Sequence, residues 1–410
     1  KNGLGSLAQD ARAYAFGYMS LGWALGGLAM AYDSAAIVTP ATKSDEVPAL
    51  SGYKDVAAMA LKMLDSAIFW ATSPNVANGS NGFPLPSTWI NGNPLSATQF
   101  VALARSQKAR IRAGIARTPA DRAAVDWNSV IADAQAGITS DFVITMSVSA
   151  GWSGSTPYDL GQMYAQGWHG LPALMIGMAD TSGAYAQFIA TPFATRDGNF
   201  LIRTPDLRFP QGATRAAQQA DTPTPLPAPR YIKNRPSGDD VPQAGYGSSN
   251  YDYRRWAPVS QNSGNGTWVQ LPKIELDMLA AEGKIRAGDF AGAAALIDAS
   301  RAKHGLPSIG TITTASQKIA GGNACVPKVP QAPGFNTVDC GTILEAMKWE
   351  KRLETAYSCA FICWYVDSRG WGDLPEGTAL QWPVPYQEMD ARIRPYYGMA
   401  GQTTKGTYGW

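Results

Sequence analysis

The chain reads as a mainly α protein: a tetratricopeptide-like scaffold of helical hairpins carrying a large, irregular, loop-rich region. Three observations predict this. Apolar residues recur at helical spacing in both outer thirds of the 410 residues. That spacing disappears between about Thr139 and Trp268. Finally, Leu271–Pro307 reads as two helices joined by a tight Gly288-Asp289 turn, with small residues where the arms would cross. We divide the chain into N-terminal helical hairpins (1–140), an irregular aromatic-rich region (141–268) and a C-terminal part (269–410). The last holds a hairpin, a cysteine loop and a closing segment, and all three parts are read as one domain.

The first element is Ala13–Tyr32, which carries no charge. Its length would suit a membrane span, and Gly22 and Gly26 are spaced as in packed membrane helices. Its glycines, Ser20, scattered tyrosines and central Trp23 point instead to a central helix of a soluble helical stack. Tyr53–Ala71 follows, with Val56, Met59, Ala60, Met63, Leu64, Ala67 and Ile68 on one helical face. Ser96 caps the next helix, Thr118-Pro119 restarts the pattern, and Asp126–Ile138 forms another helix.

In the middle region, Thr222–Pro229 has proline at alternate positions and predicts extended polyproline. Gly245–Trp256 mixes turn formers with aromatics. So much irregular chain in one domain is usually functional. Beyond it, Leu276, Leu279 and Ala280 line one arm of the hairpin, and Ala293, Leu296, Ile297 and Ser300 line the other. Thr342–Tyr357 predicts a further helix.

Composition narrows the function. Hydrophobic residues make up 45% and charged residues 16%, so the surface is unusually neutral. The net charge is +2 with no polybasic run, which excludes a track for a phosphate backbone. A chain beginning at Lys1 without a signal-peptide pattern places the native N-terminus upstream.

Four cysteines form two close pairs. A Cys325–Cys340 disulfide would close the Pro/Gly-rich loop between them, worth roughly 3 kcal/mol in the chain-entropy model, and implies an oxidising, exported setting. The alternatives are free thiols or a metal site made by all four, and no C-x2-C spacing supports zinc. Cys359 and Cys363 are four apart, so a bond between them requires the backbone to depart from helix.

Enzymatic constellations are missing. Glu350 and Glu354 lie one turn apart, but interleaved Lys348, Lys351 and Arg352 predict ion pairing at i,i+3 and i,i+4. Asp367 and Arg369 read as fixing a turn, and His304, beside Gly305, as a structural helix-end residue. Gly151–Ser155 fails as a nucleophile elbow because Ser155 replaces its second glycine. No phosphate loop or dinucleotide fingerprint occurs, and no cofactor or metal is expected.

Several phrases in the C-terminal third occur in a fixed order. They are LIDASRAKHGLP, then ILEAMKWEKRLETAY, then VDSRGWGDL, then LQWPVPYQEMDA. The residues that stand out are Glu350, Arg352 and Glu354, then Asp367, Arg369, Trp371 and Gly372, and lastly Pro383, Pro385 and Glu388. In this order, over Leu271–Ala391, the chain resembles the SusD/RagB family of nutrient-binding outer-membrane lipoproteins. The N-terminal LGSLAQDARAYAFGYM is similar to that family's first scaffold helix, while the middle region carries no residue-level match. The resemblance implies a SusD-like fold, no catalysis, and a bacterial outer-membrane location exposed at the cell surface. It also implies a lipid anchor upstream of residue 1 and a SusC-like TonB-dependent β-barrel transporter as partner.

A sugar presents an apolar face ringed by hydroxyls, so its site combines flat aromatic platforms with a few polar groups. Trp152, Tyr158 and Trp168 cluster in one irregular stretch, and Tyr246, Tyr251, Tyr253 and Trp256 in another. These seven are the candidate ligand-binding residues. The competing reading is a structural or assembly subunit that uses the same aromatics for protein contacts.

Overall fold

Helix α1 (Leu7–Ala31) starts at Ser6, whose hydroxyl accepts from the amide of Gln9 at 3.2 Å in the computed structural model. The residues described are 6–72, 82–90, 92–147, 149, 170–221, 230–238, 248–256, 265–358, 363–396 and 401–410. Ala11, Ala15, Met19, Leu25 and Ala29 form the buried face of α1, packed on α2 (Tyr53–Thr72). A methyl group added at Gly22 would sit 2.8 Å from Leu64 Cγ, and one at Gly26 2.3 Å from Ile111 Cδ1. The glycines thus let three helices approach closely. Among the described residues no helix is long and apolar enough to cross a membrane. The uncharged stretch, expected to be a central helix, packs by one face only, and Tyr14 and Leu28 on its other side are exposed.

Gly26→Val is expected to destabilise the fold by about 1–3 kcal/mol through overpacking. Gly17 has nothing within 4 Å of an added Cβ, so Gly17→Ala should stabilise by up to about 1 kcal/mol through helix propensity. Urea titrations of both variants check the pair. Equal behaviour at the two sites would contradict the packing argument.

Helix α3 (Ala97–Gly114) opens on a full capping box, with Ser96 and Gln99 exchanging side-chain bonds to each other's amides. Thr118 caps α4 (Pro119–Ala123), and Asp126 caps α5 (Trp127–Gln135). Helix α2 packs on α3, and α3 on α5.

The middle region is less irregular than its sequence suggests. Strand β1 (Ser34–Ala36) pairs with β2 (Leu50–Gly52) beside the first helices. Further on, β3 (Phe142–Met146) pairs antiparallel with β7 (Gly266–Leu271). Between them, β4 (Gly170–Pro172), β5 (Ile232–Asn234) and β6 (Ser248–Tyr253) form an antiparallel sheet in the order β4-β6-β5. Short helices α6 (Ala173–Ile176), α7 (Ala184–Ala190) and α8 (Arg215–Ala220) surround it. Strands of three to six residues and helices of four to seven are too short to imprint a clear period, so they look like loop in sequence. The polyproline expected at 222–229 lies outside the described residues.

Helices then return as predicted. Helix α9 (Lys273–Arg286) packs on α5, and turns at Gly288 (φ +82°) into α10 (Phe290–Lys303), capped by Asp289. A hairpin of β8 (Lys328–Pro330) and β9 (Val338–Cys340) precedes α11 (Ile343–Thr355), which packs on both α9 and α10. Helices α12 (Cys363–Trp371) and α13 (Tyr386–Ala391) complete the order.

The Cys325–Cys340 disulfide is present, with a Cα separation of 5.7 Å, and it ties the β8–β9 hairpin to the chain entering it. Cys363 is also disulfide-bonded, and Cys359 lies outside the described residues. Helix α11 ends at Thr355, and among the described residues α12 starts at Cys363.

Candidate ligand-binding site

Helix α11 joins the scaffold to the middle region through the Glu-x-Arg-x-Glu phrase. On one face, Arg208 donates to Glu350 at 3.0 Å and to Glu354 at 3.2 Å, and also pairs with Asp206 at 2.8 Å. Ser300 donates to Glu350 at 2.7 Å, His304 meets Glu354 at 2.7 Å, and the Tyr231 hydroxyl donates to Glu354 at 3.0 Å. On the other face, Lys348 reaches Asp373 at 3.1 Å, Lys351 reaches Asp367 at 2.7 Å, and Arg352 pairs with Asp373. These groups are buried.

The expected i,i+3 and i,i+4 pairing is therefore corrected. Apart from Lys348 with Glu345, the partners come from other elements, because a helix buried on all sides must match charges across its packing faces. His304 has the structural place predicted for it, as the C-cap residue of α10.

Burial alone would raise the Glu354 pKa. The His304 hydrogen bond and the Arg255 and Arg208 charges outweigh it and hold the carboxyl at about 2. Glu282 is likewise held at about 2 against burial, chiefly by Arg122. Both lie below the unfolded value near 4.5, so the stability they contribute is present above pH 4.5 and lost as pH falls toward 2. Each contributes on the order of 3 kcal/mol at neutral pH. Loss of near-UV circular dichroism across that window is the expected result. Retention of the fold at pH 2 would contradict it.

The Asp-x-Arg-x-Trp-Gly phrase clamps the scaffold itself. Arg122 is bidentate on Glu282 at 2.6 and 3.0 Å and meets Asp367 at 3.2 Å, while the Trp371 indole donates to Glu282 at 3.1 Å. Arg369 donates to the carbonyls of Met30 at 2.6 Å, Gly114 at 2.9 Å and Leu380 at 2.8 Å. It thereby caps the C-terminal ends of α1 and α3, where carbonyls lack helical partners. Asp367 and Arg369 join several helices rather than fixing a local turn. These carboxylates are committed to buried cations, so the arrangement suits fixed architecture and not proton transfer.

Three predicted ligand residues need correction. Tyr251 and Tyr253 are 1% exposed and Trp256 is 9% exposed. Tyr251 donates to Gln218 at 2.7 Å, Tyr253 to the Leu353 carbonyl at 3.0 Å, and Trp256 to the Ala356 carbonyl at 3.1 Å. Strand β6 is central in its sheet, and five of its six residues are buried. Its aromatics are core, and the buried Tyr253 also lines a small cavity. Trp152, Tyr158, Trp168 and Tyr246 lie outside the described residues.

Beside Tyr253 is a cavity of about 120 Å³, walled by Leu171, Thr355, Ala356, Tyr357 and Trp364. It is smaller than an ordinary ligand pocket of roughly 300–1,000 Å³, so it suits one edge of a ligand. Tyr357 holds the left-handed conformation (φ +59°), unusual for a residue other than glycine. Burial, helped by Asp252, pushes its hydroxyl above the ordinary pKa. Sequence reading missed Tyr357 and Trp364; the available signal was two aromatics flanking the Cys359/Cys363 pair. The aromatic-rich segment 150–169 ends one residue before Gly170, next to Leu171 of the wall. Segment 257–264 leaves from Trp256, bonded to Ala356 of the wall, and 359–362 ends at Cys363, which also lines it.

No protein-family model matches the chain, and no curated protein sequence matches it. Solved structures do. A SusD homolog from Parabacteroides distasonis superposes with a TM-score of 0.53 at 15% identity, covering 90% of this chain and 70% of that one. Surface glycan-binding protein A from Bacteroides uniformis gives 0.47 at 12% identity, covering 98% and 79%. A SusD-like carbohydrate binding protein from Bacteroides vulgatus gives 0.44 at 12%, covering 98% and 71%.

Proposed function

We propose that this chain, whose fold is SusD-like, captures a glycan or similar nutrient without catalysis and delivers it to a SusC-like TonB-dependent β-barrel transporter. In this reading it is a lipid-anchored protein of the bacterial outer membrane, exposed at the cell surface. The observation that carries the reading is the shared fold, joined to the points in the chain where its aromatic-rich segments are inserted. Two segments holding Trp152, Tyr158, Trp168 and Tyr246 enter the β4-β6-β5 sheet at Gly170 and Ser248, and the first leads directly to the cavity wall. Arg208, Arg255 and Tyr231 bind Glu354 and so tie the described part of this region to the scaffold.

Titration calorimetry against a panel of soluble oligosaccharides tests the reading. Alanine at Trp152, Tyr158, Trp168 or Tyr246 should weaken binding about tenfold or more, with the thermal midpoint retained. Alanine at Tyr253 should instead lower the midpoint. Unchanged binding in all four variants, or no saccharide binding by the parent, would overturn it.

A further inference from the structure

Away from that sheet, the loop between β1 and β2 and the turn after α13 enclose a groove of about 590 Å³. This volume lies within the range of ligand pockets, roughly 300–1,000 Å³. Val47, Ala49, Leu50 and Met389 supply its apolar surface, and Arg392 and Arg394 supply its charge. No carboxylate is among the described residues that line it.

The two guanidiniums differ. Arg392 is committed, since it donates to Glu388 at 2.7 Å and to the Pro48 carbonyl at 2.7 Å, pinning the β1–β2 loop to α13. Arg394 is exposed and makes no ion pair among the described residues. Of the acids near in sequence, Glu388 is paired with Arg392, Asp390 accepts from the Tyr396 hydroxyl at 2.6 Å and keeps its charge, and Asp45 and Glu46 precede Val47 without lining the groove. Arg394 is therefore the lining cation that no acid among the described residues holds, and it stands against an apolar wall.

Backbone conformation supports a functional role. Ile393 holds φ +54° at the end of α13, where glycine is the usual residue. A β-branched residue there costs roughly 1–3 kcal/mol, and its side chain is 93% exposed, so packing does not repay the strain. The reversal at Ile393 leaves both flanking arginines on the groove while the isoleucine itself faces water.

We propose that this groove binds a carboxylate carried on an apolar or ring-shaped body. Arg394 takes the carboxylate through its paired N–H donors, a planar fork that matches carboxylate geometry. Val47, Leu50 and Met389 cover the body. The site is separate from the cavity at Tyr253 and stands whether or not the chain feeds a transporter. A uronic-acid saccharide and an aliphatic carboxylate share the required chemistry, and the test distinguishes them.

Calorimetry on the full chain would use trigalacturonic acid and octanoate, each beside its methyl ester. At least one acid should bind, with its ester about tenfold weaker or worse, and with affinity falling as salt rises. Arg394→Gln, at an exposed position, should keep the thermal midpoint and weaken the acid about tenfold. Val47→Asp, which brings negative charge to the wall, should weaken the acid as well. Binding by the saccharide alone assigns a uronic sugar, and binding by octanoate alone assigns an aliphatic acid; either supports the proposal. Absence of both, ester binding equal to acid binding, or undiminished binding by Arg394→Gln would overturn it.

Discussion

Arg208→Met is expected to lower stability by about 3–5 kcal/mol, the range for removing one partner of a buried charge cluster. Arg208 is fully buried and is held by Asp206, Glu350 and Glu354. These carboxylates push its own pKa further above its ordinary value in spite of burial. Methionine would fill most of the space but leave three acids sharing Arg301, Arg255 and His304, none of which replaces the bidentate contacts. The unfolding midpoint in urea, followed by tryptophan fluorescence, measures the loss. The Trp349 indole donates to Asp206, so its signal should change early. A loss under about 1 kcal/mol would mean that the cluster does not hold the middle region to α11.

Arg369→Leu is the second large effect, at about 3 kcal/mol or more. Its guanidinium reaches carbonyls at the ends of two helices and a third in the closing segment. Each buried acceptor left without a donor costs roughly 1–3 kcal/mol. Burial and the neighbouring Arg117 push its pKa down to about 10, which still leaves it charged at neutral pH. Arg117 donates to the Ala29 and Tyr32 carbonyls and cannot also cover those of Met30 and Gly114. Arg369→Lys should recover only part of the loss, because one ammonium cannot match the spread of the fork. Hydrogen exchange should quicken at the C-terminal turns of α1 and α3 in Arg369→Leu. Full recovery by lysine would show that charge, not geometry, is what this position supplies.

The legible part of this protein was its helices. Ser96, Thr118-Pro119 and Gly288-Asp289 are local signals, and each marks a cap or turn where the sequence placed it. Charges were harder. Glu350 and Glu354 look like surface residues of an amphipathic helix, because their partners Arg208 and Tyr231 lie more than a hundred positions away. Tyr251 and Tyr253 look like loop aromatics because Asn250 and Asp252 alternate with them. In a central strand buried on both faces, such polar residues are core as well. Tyr357 and Trp364 carried no pattern in sequence, because the cavity they share is completed by Leu171 and Tyr253 from distant strands.

Purification of the native protein from its membranes in mild detergent, with quantitative mass spectrometry, tests the central claim most directly. A TonB-dependent β-barrel receptor in near-equal amount is the expected result. Self-copies or an extracellular matrix component in its place, with no β-barrel receptor, would contradict nutrient delivery and favour an assembly role for the same scaffold.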